Sequence, residues 1–468
     1  MISGTSDSDG PAVGSPAAGG PVGRGPVDAD ETGYGEVVGF LRDLIRIDTS
    51  NPTSPERPAA EYVATLLSEA GLDVRIFESE PGRASVVARI EGTDPSADAL
   101  LLHGHLDVVP ADPADWTFDP FAAEVHDGMV WGRGAVDMKD MDAMMLAVTR
   151  RMLREGRRPR RDVVLAFFAD EEAGGNHGAK FLAREHPELF DGVSEAVSEV
   201  GGFSYEVSPD LRFYLIETAQ KGLAWMRLAA RGRAGHGSMV NDDNAVTALA
   251  QAVARIGGHQ FPVDLTPTVS AFLSEVSEAL GLEFDPGDPE SALAAVEKIG
   301  PLARFIGATL HHTANPTKLA AGYKVNVIPE RAFAEVDGRF LPGAEREAEF
   351  FATIDGLLGP DVSREFVHYD IGLEAPFEVP LVEKMLMSLK AEDPSARVVP
   401  YCLSAGTDNK TFGVFDAGRG LVRGYGFVPL RLDPSLDFAA MFHGVDERVP
   451  LAALEFGCRV LDRFLIAA

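Results

Sequence analysis

The chain has 468 residues, more than one hydrophobic core usually serves, so we expect two domains. Hydrophobic residues make up 45% and charged residues 24% of the sequence, which excludes disordered and fibrous proteins. A formal net charge of -30 repels phosphate backbones and anionic lipids, so we exclude nucleic acids and membrane surfaces as partners.

The amino-terminal segment, residues 1–30, is rich in Gly, Pro, Ser and Asp and lacks the apolar core of a signal peptide. We interpret it as a disordered tail on a cytoplasmic protein. The two cysteines, Cys402 and Cys458, are too few for a disulfide framework and too far apart for a zinc-binding pair. No segment approaches the roughly eighteen uninterrupted apolar residues of a membrane span.

Helical and strand patterns alternate over the first half of the sequence. The predicted helices cover residues 37–45, 62–67 and 138–153, and the predicted strands cover residues 74–77, 85–90, 99–102 and 163–169. The last strand is an unbroken apolar run, typical of a strand buried on both faces. This alternation predicts an α/β fold with a mostly parallel sheet.

The pattern changes near Lys221. A strand over 223–230, a helix over 245–256 and two strands within 324–340 predict a small α+β module inserted in the first domain. We therefore predict that residues 31–217 and 342–468 form the first and second parts of the larger domain, and that residues 218–341 form the inserted module. Residues 261–314, in the middle of the insertion, show no assignable pattern.

Two histidines and a carboxylate occur within residues 101–110, LLHGHLDVVP, at the end of an apolar strand. Open α/β sheets place ligands at such strand ends. His105 is therefore a candidate zinc ligand, and Asp107 is a candidate acceptor for the other imidazole N–H. A hydrogen-bonded structural histidine is the alternative interpretation of this pattern alone.

A second motif, WGRGAVDMKD at residues 131–140, places glycines ahead of Asp137 at the start of the long helix. Asp137 suits a helix N-cap, but capping does not explain the glycines. In the third motif, the consecutive carboxylates Asp170, Glu171 and Glu172 follow a buried strand. Carboxylates so crowded raise one another's pKa unless a cation lies among them, which favours a functional site.

These segments, together with Glu199 and His443, resemble in order and type the M20 family of metallopeptidases and deacylases. The resemblance runs from IDT at residues 47–49 to Val449. It implies two zinc ions per subunit, with cobalt or manganese as substitutes, and a cis peptide between Asp137 and Met138. The implied ligands are His105 and Glu199 for one ion, Glu172 and His443 for the other, and Asp137 as the bridge. Glu171 would be the general base and Asp107 the residue that orients a ligand.

The same resemblance implies a catalytic domain formed by residues 31–217 and 342–468, and a ferredoxin-like lid or dimerisation domain at 218–341. His236, in RAGHGS, is the implied oxyanion contact, often supplied to the partner's site. Asn326 and Arg339 are the implied substrate contacts, since an arginine fork suits a carboxylate; a surface charge is the alternative for Arg339. Gly406, in SAGTD, lies in the family's substrate-facing loop.

The implied activity is hydrolysis of the amide bond of an N-acyl amino acid or a related small carboxylate-bearing substrate. Glu199 favours a deacylase, because similar peptidases tend to have Asp at this position. A dipeptidase or carboxypeptidase is the alternative. A non-catalytic binding protein on the same fold is a third hypothesis, which the complete set of ligands and base disfavours.

The homodimer implied for this chain is tested by mixing two inactive variants, Glu171→Gln and His236→Ala. If each site receives His236 from the partner, some mixed dimers contain one intact site, so activity should return. Hydrolysis by the mixture is compared with each variant alone, after subunit exchange has been verified. An inactive mixture would show that each chain builds its own site.

Overall fold

The structure is a computed structural model that describes residues 34–418 and 420–468. The tail predicted over residues 1–30 lies outside the described residues. Among the described helices, none is long and apolar enough to cross a membrane.

The helices of the described chain are α1 (Glu36–Arg46), α2 (Arg57–Glu69), α3 (Lys139–Arg154), α4 (Ala179–Glu185), α5 (Ala245–Gly258), α6 (Pro267–Leu280), α7 (Pro289–Lys298), α8 (Ala344–Leu358), α9 (Pro380–Glu392), α10 (Asn409–Phe412) and α11 (Leu451–Ala467). The strands of the same residues are β1 (Val74–Glu80), β2 (Arg83–Ile90), β3 (Ala99–His105), β4 (Val125–His126), β5 (Met129–Trp131), β6 (Val163–Phe168), β7 (Val193–Ser198), β8 (Ser204–Ser208), β9 (Leu211–Gln220), β10 (Gly222–Arg231), β11 (Gly235–His236), β12 (Thr313–Ala321), β13 (Val327–Ile328), β14 (Arg331–Phe340), β15 (Val362–Asp370), β16 (Leu373–Glu374), β17 (Ala396–Leu403), β18 (Arg423–Gly426) and β19 (Arg448–Pro450).

The larger sheet has ten strands in the order β1-β2-β6-β3-β7-β18-β9-β16, with β8 and β17 also paired to β9. Its central strands β6, β3, β7 and β18 are parallel to one another. The predicted α/β fold with a mainly parallel central sheet is therefore confirmed.

Side chains of the central strands alternate between two cores, because successive residues of a strand point to opposite faces. Leu100 and Leu102 of β3 pack in the cluster that includes residues of α1, α2, α3 and α11. Leu101 faces the other way and packs with Phe168 and with Leu182 of α4. Burial on both faces explains why β6 is a continuous apolar run and why β3 begins with four apolar residues, 99–102.

A second sheet is antiparallel, with strand order β12-β14-β10-β15, and helices α5 and α8 contribute to its separate core. Along the chain these elements follow the order β10-α5-β12-β14-α8-β15, which is the β-α-β-β-α-β order of ferredoxin-like folds. The sheet extends past the expected boundary at residue 341, because β15 pairs with β10 along most of its length. The division into domains stays a prediction, with residue 370 as the better second boundary.

The segment between α5 and β12 also differs from the expectation that residues 218–341 form one module. Helix α6 covers β17 of the larger sheet, and α7 and a 3-10 turn at Gly300–Phe305 follow it. Buried side chains of this segment belong to the larger core, among them Val269, Phe272, Leu273 and Leu302. We call residues 263–312 the docked insertion, since they pack on the sheet that carries the acidic motifs.

Removal of the Phe272 ring tests this packing. Phe272 is 1% exposed in α6, so Phe272→Ala should lower the free energy of unfolding by about 3 to 5 kcal/mol through lost burial and the cavity left behind. Denaturant unfolding measures the change. Leu293→Ala in α7 is the matched control, because Leu293 is 46% exposed and its loss should cost no more than about 0.5 kcal/mol. Equal, small effects would mean that α6 is not docked.

Candidate metal centre

Three neighbouring parallel strands deliver the acidic motifs to one edge of the larger sheet. His105 is the last residue of β3, Glu171 and Glu172 lie in the turn after β6, and Glu199 follows β7. Because these strands are parallel neighbours, their carboxyl ends meet, as in other ligand-binding α/β sheets.

Asp137 lies at the middle of the resulting cluster. On one side, the Nε2 atom of His105 lies 3.2 Å from Oδ1 of Asp137 and 3.5 Å from Oε2 of Glu199. On the other side, the Nε2 atom of His443 lies 3.3 Å from Oδ2 of Asp137 and 3.1 Å from Oε2 of Glu172. Each side thus offers one imidazole and two carboxylates, with ligand atoms within 4.8 Å of one another.

Asp107 organises this cluster through its backbone and its side chain. The backbone carbonyl of Asp107 accepts a hydrogen bond from Nδ1 of His105 at 2.9 Å, which leaves Nε2 free to act as a ligand. We expected the carboxylate to play this part, but it lies 3.6 Å from Nδ1. Its oxygens instead accept the backbone N–H groups of Glu171 and Glu172 at 3.0 and 3.1 Å, and so fix the acidic turn.

Negative charge is crowded at this edge of the sheet. Burial, together with neighbouring carboxylates, raises the pKa of Glu171 well above its usual range and that of Glu199 to about 7. Burial alone would lower the pKa of His105, but the charge of Glu199 and hydrogen bonds to Asp107 and Asp137 raise it well above normal. The cluster therefore attracts positive charge.

The donor set fits a pair of metal ions. Imidazole nitrogen and carboxylate oxygen are the ligands that zinc takes readily. Within the described chain, the buried Oε1 atom of Glu172 also has no hydrogen-bond partner, which leaves a lone pair available. Shared use of Asp137 by both groups is the geometry expected of a bridging carboxylate.

The loop before α3 is held by Glu447, a residue for which the sequence predicted no role. One of its oxygens accepts the backbone N–H of Asp137 at 3.1 Å, and the other accepts that of Gly134 at 2.7 Å and pairs with Arg133 at 3.0 Å. Glu447 is fully buried. Helix α3 begins at Lys139, with Met138 as the N-cap residue, so Asp137 is not the cap. The peptide bond between Asp137 and Met138 is cis, as the resemblance implied.

Two cavities meet at the acidic turn. The first, of about 350 Å³, is bounded by Glu171 and Glu199 on one side and by aromatic residues on the other. The second, of about 420 Å³, lies between the two sheets and is lined by Lys180, Arg339 and Lys410. Glu171, Glu172, Ala405, Gly406 and His443 line both cavities. We call them the aromatic lobe and the polar lobe.

The other predicted site residues fall into two groups. Arg339, on β14, faces the polar lobe and donates to Asp337 at 2.7 and 3.2 Å, and Gly406 lies between the lobes. His236 and Asn326 lie on an arm formed by β11 and β13, where Gly237 donates its backbone N–H to the carbonyl of Asn326. Within the described chain, neither of these two lines a lobe. The structure therefore brings the five implied ligands and Glu171 together, whereas His236 and Asn326 lie apart from them.

The sequence profile of Peptidase family M20/M25/M40 matches residues 101–467, so the chain belongs to this family of hydrolases. Aminoacylase-1 from Pongo abelii is 26% identical over 434 residues, which cover 92% of this chain and 94% of that protein. The M20 family metallo-carboxypeptidase Sso-CP2 from Sulfolobus solfataricus has a TM-score of 0.68 and 18% identity, over 92% of this chain and 98% of that one. Human carnosine dipeptidase 1 has a TM-score of 0.63 and 16% identity, over 93% and 95%. The predicted family is confirmed.

Glu447 offers a test of the cluster that leaves its ligands in place. In Glu447→Gln, an NH₂ group replaces one of the two carboxylate oxygens that accept the backbone N–H groups of Gly134 and Asp137. The substitution also removes the negative charge opposite Arg133. The loop that positions Asp137 should therefore be less well fixed. We expect affinity for zinc to fall about 10- to 100-fold, as for other residues that orient metal ligands. Zinc titration of the metal-stripped protein measures this. Glu185→Gln, at an exposed pair with Arg184, is the control and should bind zinc normally. Unchanged affinity in Glu447→Gln would refute the role.

Proposed function

We propose that this protein is a zinc-dependent amidohydrolase that releases a free amino acid from an N-acyl amino acid. The observation that carries the proposal is the pair of histidine–carboxylate groups sharing Asp137, with Glu171 beside them at the junction of two cavities. In this proposal His105 with Glu199 would hold one ion, His443 with Glu172 would hold the other, and Asp137 would serve both.

When bound, the zinc pair lowers the pKa of water towards about 7 and polarises the substrate carbonyl. Glu171 takes a proton from the attacking water. A general base must lie within reach of the proton that it abstracts, and Glu171 meets this requirement at the junction of the two lobes. The same carboxyl then gives the proton to the amide nitrogen as the carbon–nitrogen bond breaks. Its hydrogen-bonded backbone, fixed by Asp107, keeps the carboxylate at the junction of the lobes.

Substrate orientation is proposed from the charges of the polar lobe. Arg339 and Lys410 supply positive charge there, and the guanidinium of Arg339 retains N–H groups beyond those that bond to Asp337. These groups suit the carboxylate of an amino acid. With the carboxylate in this lobe, the amide lies at the junction and the acyl group extends into the aromatic lobe.

A peptidase is the second candidate. The solved structures with the fold of this chain include a metallo-carboxypeptidase and a carnosine dipeptidase, but at 18% and 16% identity they support only the fold. Aminoacylase-1 matches at higher identity and over nearly the whole chain. Glu199, rather than Asp, also favours the deacylase, so we retain it as the first candidate.

We also propose a homodimer formed through the ferredoxin-like sheet, with His236 donated to the partner's site. The arm that bears His236 carries exposed apolar side chains, and Val240 and Val325 are almost fully accessible. Trp225 and Phe333, on the second sheet, are also exposed. Large exposed apolar groups of this kind are typical of surfaces that bind a partner. A cytoplasmic location stays a prediction.

Glu171→Gln separates chemistry from metal binding. The amide keeps the shape of the side chain but takes no proton, so kcat for N-acetyl amino acids should fall by about 10² to 10⁴ while zinc content is unchanged. Initial rates and zinc content are measured on the same preparation. Glu172→Gln, one residue along the turn, is the matched comparison and should lose zinc instead. Rates like those of the unmodified protein in Glu171→Gln would remove this residue from the mechanism.

A further inference from the structure

A smaller cavity of about 100 Å³ lies beside the aromatic lobe and is not lined by the acidic turn. Phe203, Arg304, Phe305 and Ala439 line both spaces, so the two cavities adjoin one another. We call the two adjoining cavities together the aromatic channel. It begins beside Glu171 and Glu199 and ends at residues 432–438, near the surface.

Aromatic rings form the walls of the channel. The ring centroid of Phe203 lies 5.8 Å from that of Phe305, 6.3 Å from that of Tyr401 and 5.2 Å from that of Phe438. Tyr401 presents only its ring, because its hydroxyl donates a hydrogen bond to the carbonyl of Val200 at 2.5 Å. These four rings therefore offer hydrocarbon surface to a ligand.

Polar residues near the outer end are occupied by partners within the chain. The hydroxyl of Ser204 accepts the backbone N–H of Leu432 at 2.8 Å, and Asp433 accepts that of Ser435 at 2.8 Å. Glu206 pairs with Arg212. An apolar ligand entering here would leave these hydrogen bonds intact, which avoids the cost of burying unpaired polar groups.

The docked insertion supplies one wall. Its 3-10 turn at Gly300–Phe305 places Phe305 against Phe203 and Tyr401, and the guanidinium of Arg304 donates to Asp437 at 2.6 Å. This pair joins the insertion to the loop on the opposite side of the channel mouth. The docked insertion, which contains none of the acidic motifs, therefore forms part of the channel wall through Arg304 and Phe305.

We propose that the aromatic channel is the acyl subsite of this enzyme and selects N-acyl amino acids with extended or bulky apolar acyl groups. This assignment rests on the proposed function, because it takes the junction at Glu171 as the position of the reacting amide. A cavity of about 350 Å³ falls in the size range of small-molecule sites, and the adjoining cavity lies on the side away from the acidic turn. An acyl chain fits that shape, with its carbonyl at the acidic turn and its terminus near Phe438.

The experiment compares N-acetyl-L-alanine with N-octanoyl-L-alanine, using the zinc-loaded protein. A buried methylene contributes about fourfold to affinity, so burial of only about two of the methylenes that octanoyl adds to acetyl should make kcat/KM at least tenfold higher for the octanoyl compound. In Ala439→Phe, a ring fills the channel, and the octanoyl-to-acetyl ratio should fall at least tenfold. Ala440→Phe is the matched control, because Ala440 is the exposed next residue and lines neither cavity of the channel. Phe305→Ala, which removes the wall of the insertion, should lower the ratio in the same direction.

Binding provides a second measurement that does not depend on turnover. Calorimetric titration of zinc-loaded Glu171→Gln should show at least tenfold tighter binding of N-octanoyl-L-alanine than of N-acetyl-L-alanine, and addition of Ala439→Phe should remove the difference. Hydrolysis of both compounds at similar kcat/KM would overturn the acyl subsite and leave the proposed function standing. Selective binding without hydrolysis by the unmodified protein would keep the acyl subsite and overturn the proposed reaction. If the protein neither bound nor hydrolysed the compounds, both proposals would be overturned. A response of N-acetyl-L-phenylalanine, but not of the octanoyl compound, to Ala439→Phe would assign the channel to the amino-acid side chain.

Discussion

Mutual repulsion among the carboxylates around Asp137 is the constraint on which the site depends. Asp137, Glu172 and Glu199 lie within hydrogen-bond distance of two imidazoles, those of His105 and His443, and burial raises the pKa of both glutamates. Such an arrangement is stable when positive charge compensates it. The parallel strands bring His105, Glu172 and Glu199 to one edge of the sheet. Each of the two imidazoles lies beside two of the carboxylates.

Two buried carboxylates hold the main chain on either side of this cluster. Asp107 holds the acidic turn by its N–H groups, while Glu447 holds the loop of Asp137 in the same way. Both residues are fully buried, and each binds backbone rather than a ligand side chain. The implied ligands Asp137 and Glu172 are thus positioned through the main chain. This is the division of work expected between metal ligands and the residues that orient them.

Residues next to a strong local pattern were predictable from the sequence. The buried strand β6 is apolar throughout, so the carboxylates that follow it mark a strand end without knowledge of the fold. The docked insertion was not predictable in this way. Helix α6 has a capping Thr266 and begins with Pro267, signals that predict a helix start, but they do not indicate that Phe272 packs on a distant strand.

The aromatic channel was missed for the same reason. Phe203, Phe305, Tyr401 and Phe438 come from four separate segments, and each is an ordinary apolar residue in its own segment. Their shared surface arises only from tertiary packing. The place of β15 in the second sheet was not predictable either, because β15 is exposed over much of its length and carries little of the apolar periodicity that identifies a buried strand.

The two lobes belong to different parts of the scaffold, and this has a consequence for specificity. The aromatic channel is built on the larger core, which also carries the acidic motifs, whereas Arg339 and Trp225 reach the polar lobe from the second sheet. A ligand that fills both lobes therefore contacts both sheets at once. In the proposed reaction, the distance between the apolar acyl group and the carboxylate of the substrate would have to match the separation of the two sheets, with the amide near Glu171. Recognition of both ends of the proposed substrate would then fix the amide over the acidic turn, since binding energy from the remote parts orients the reacting centre.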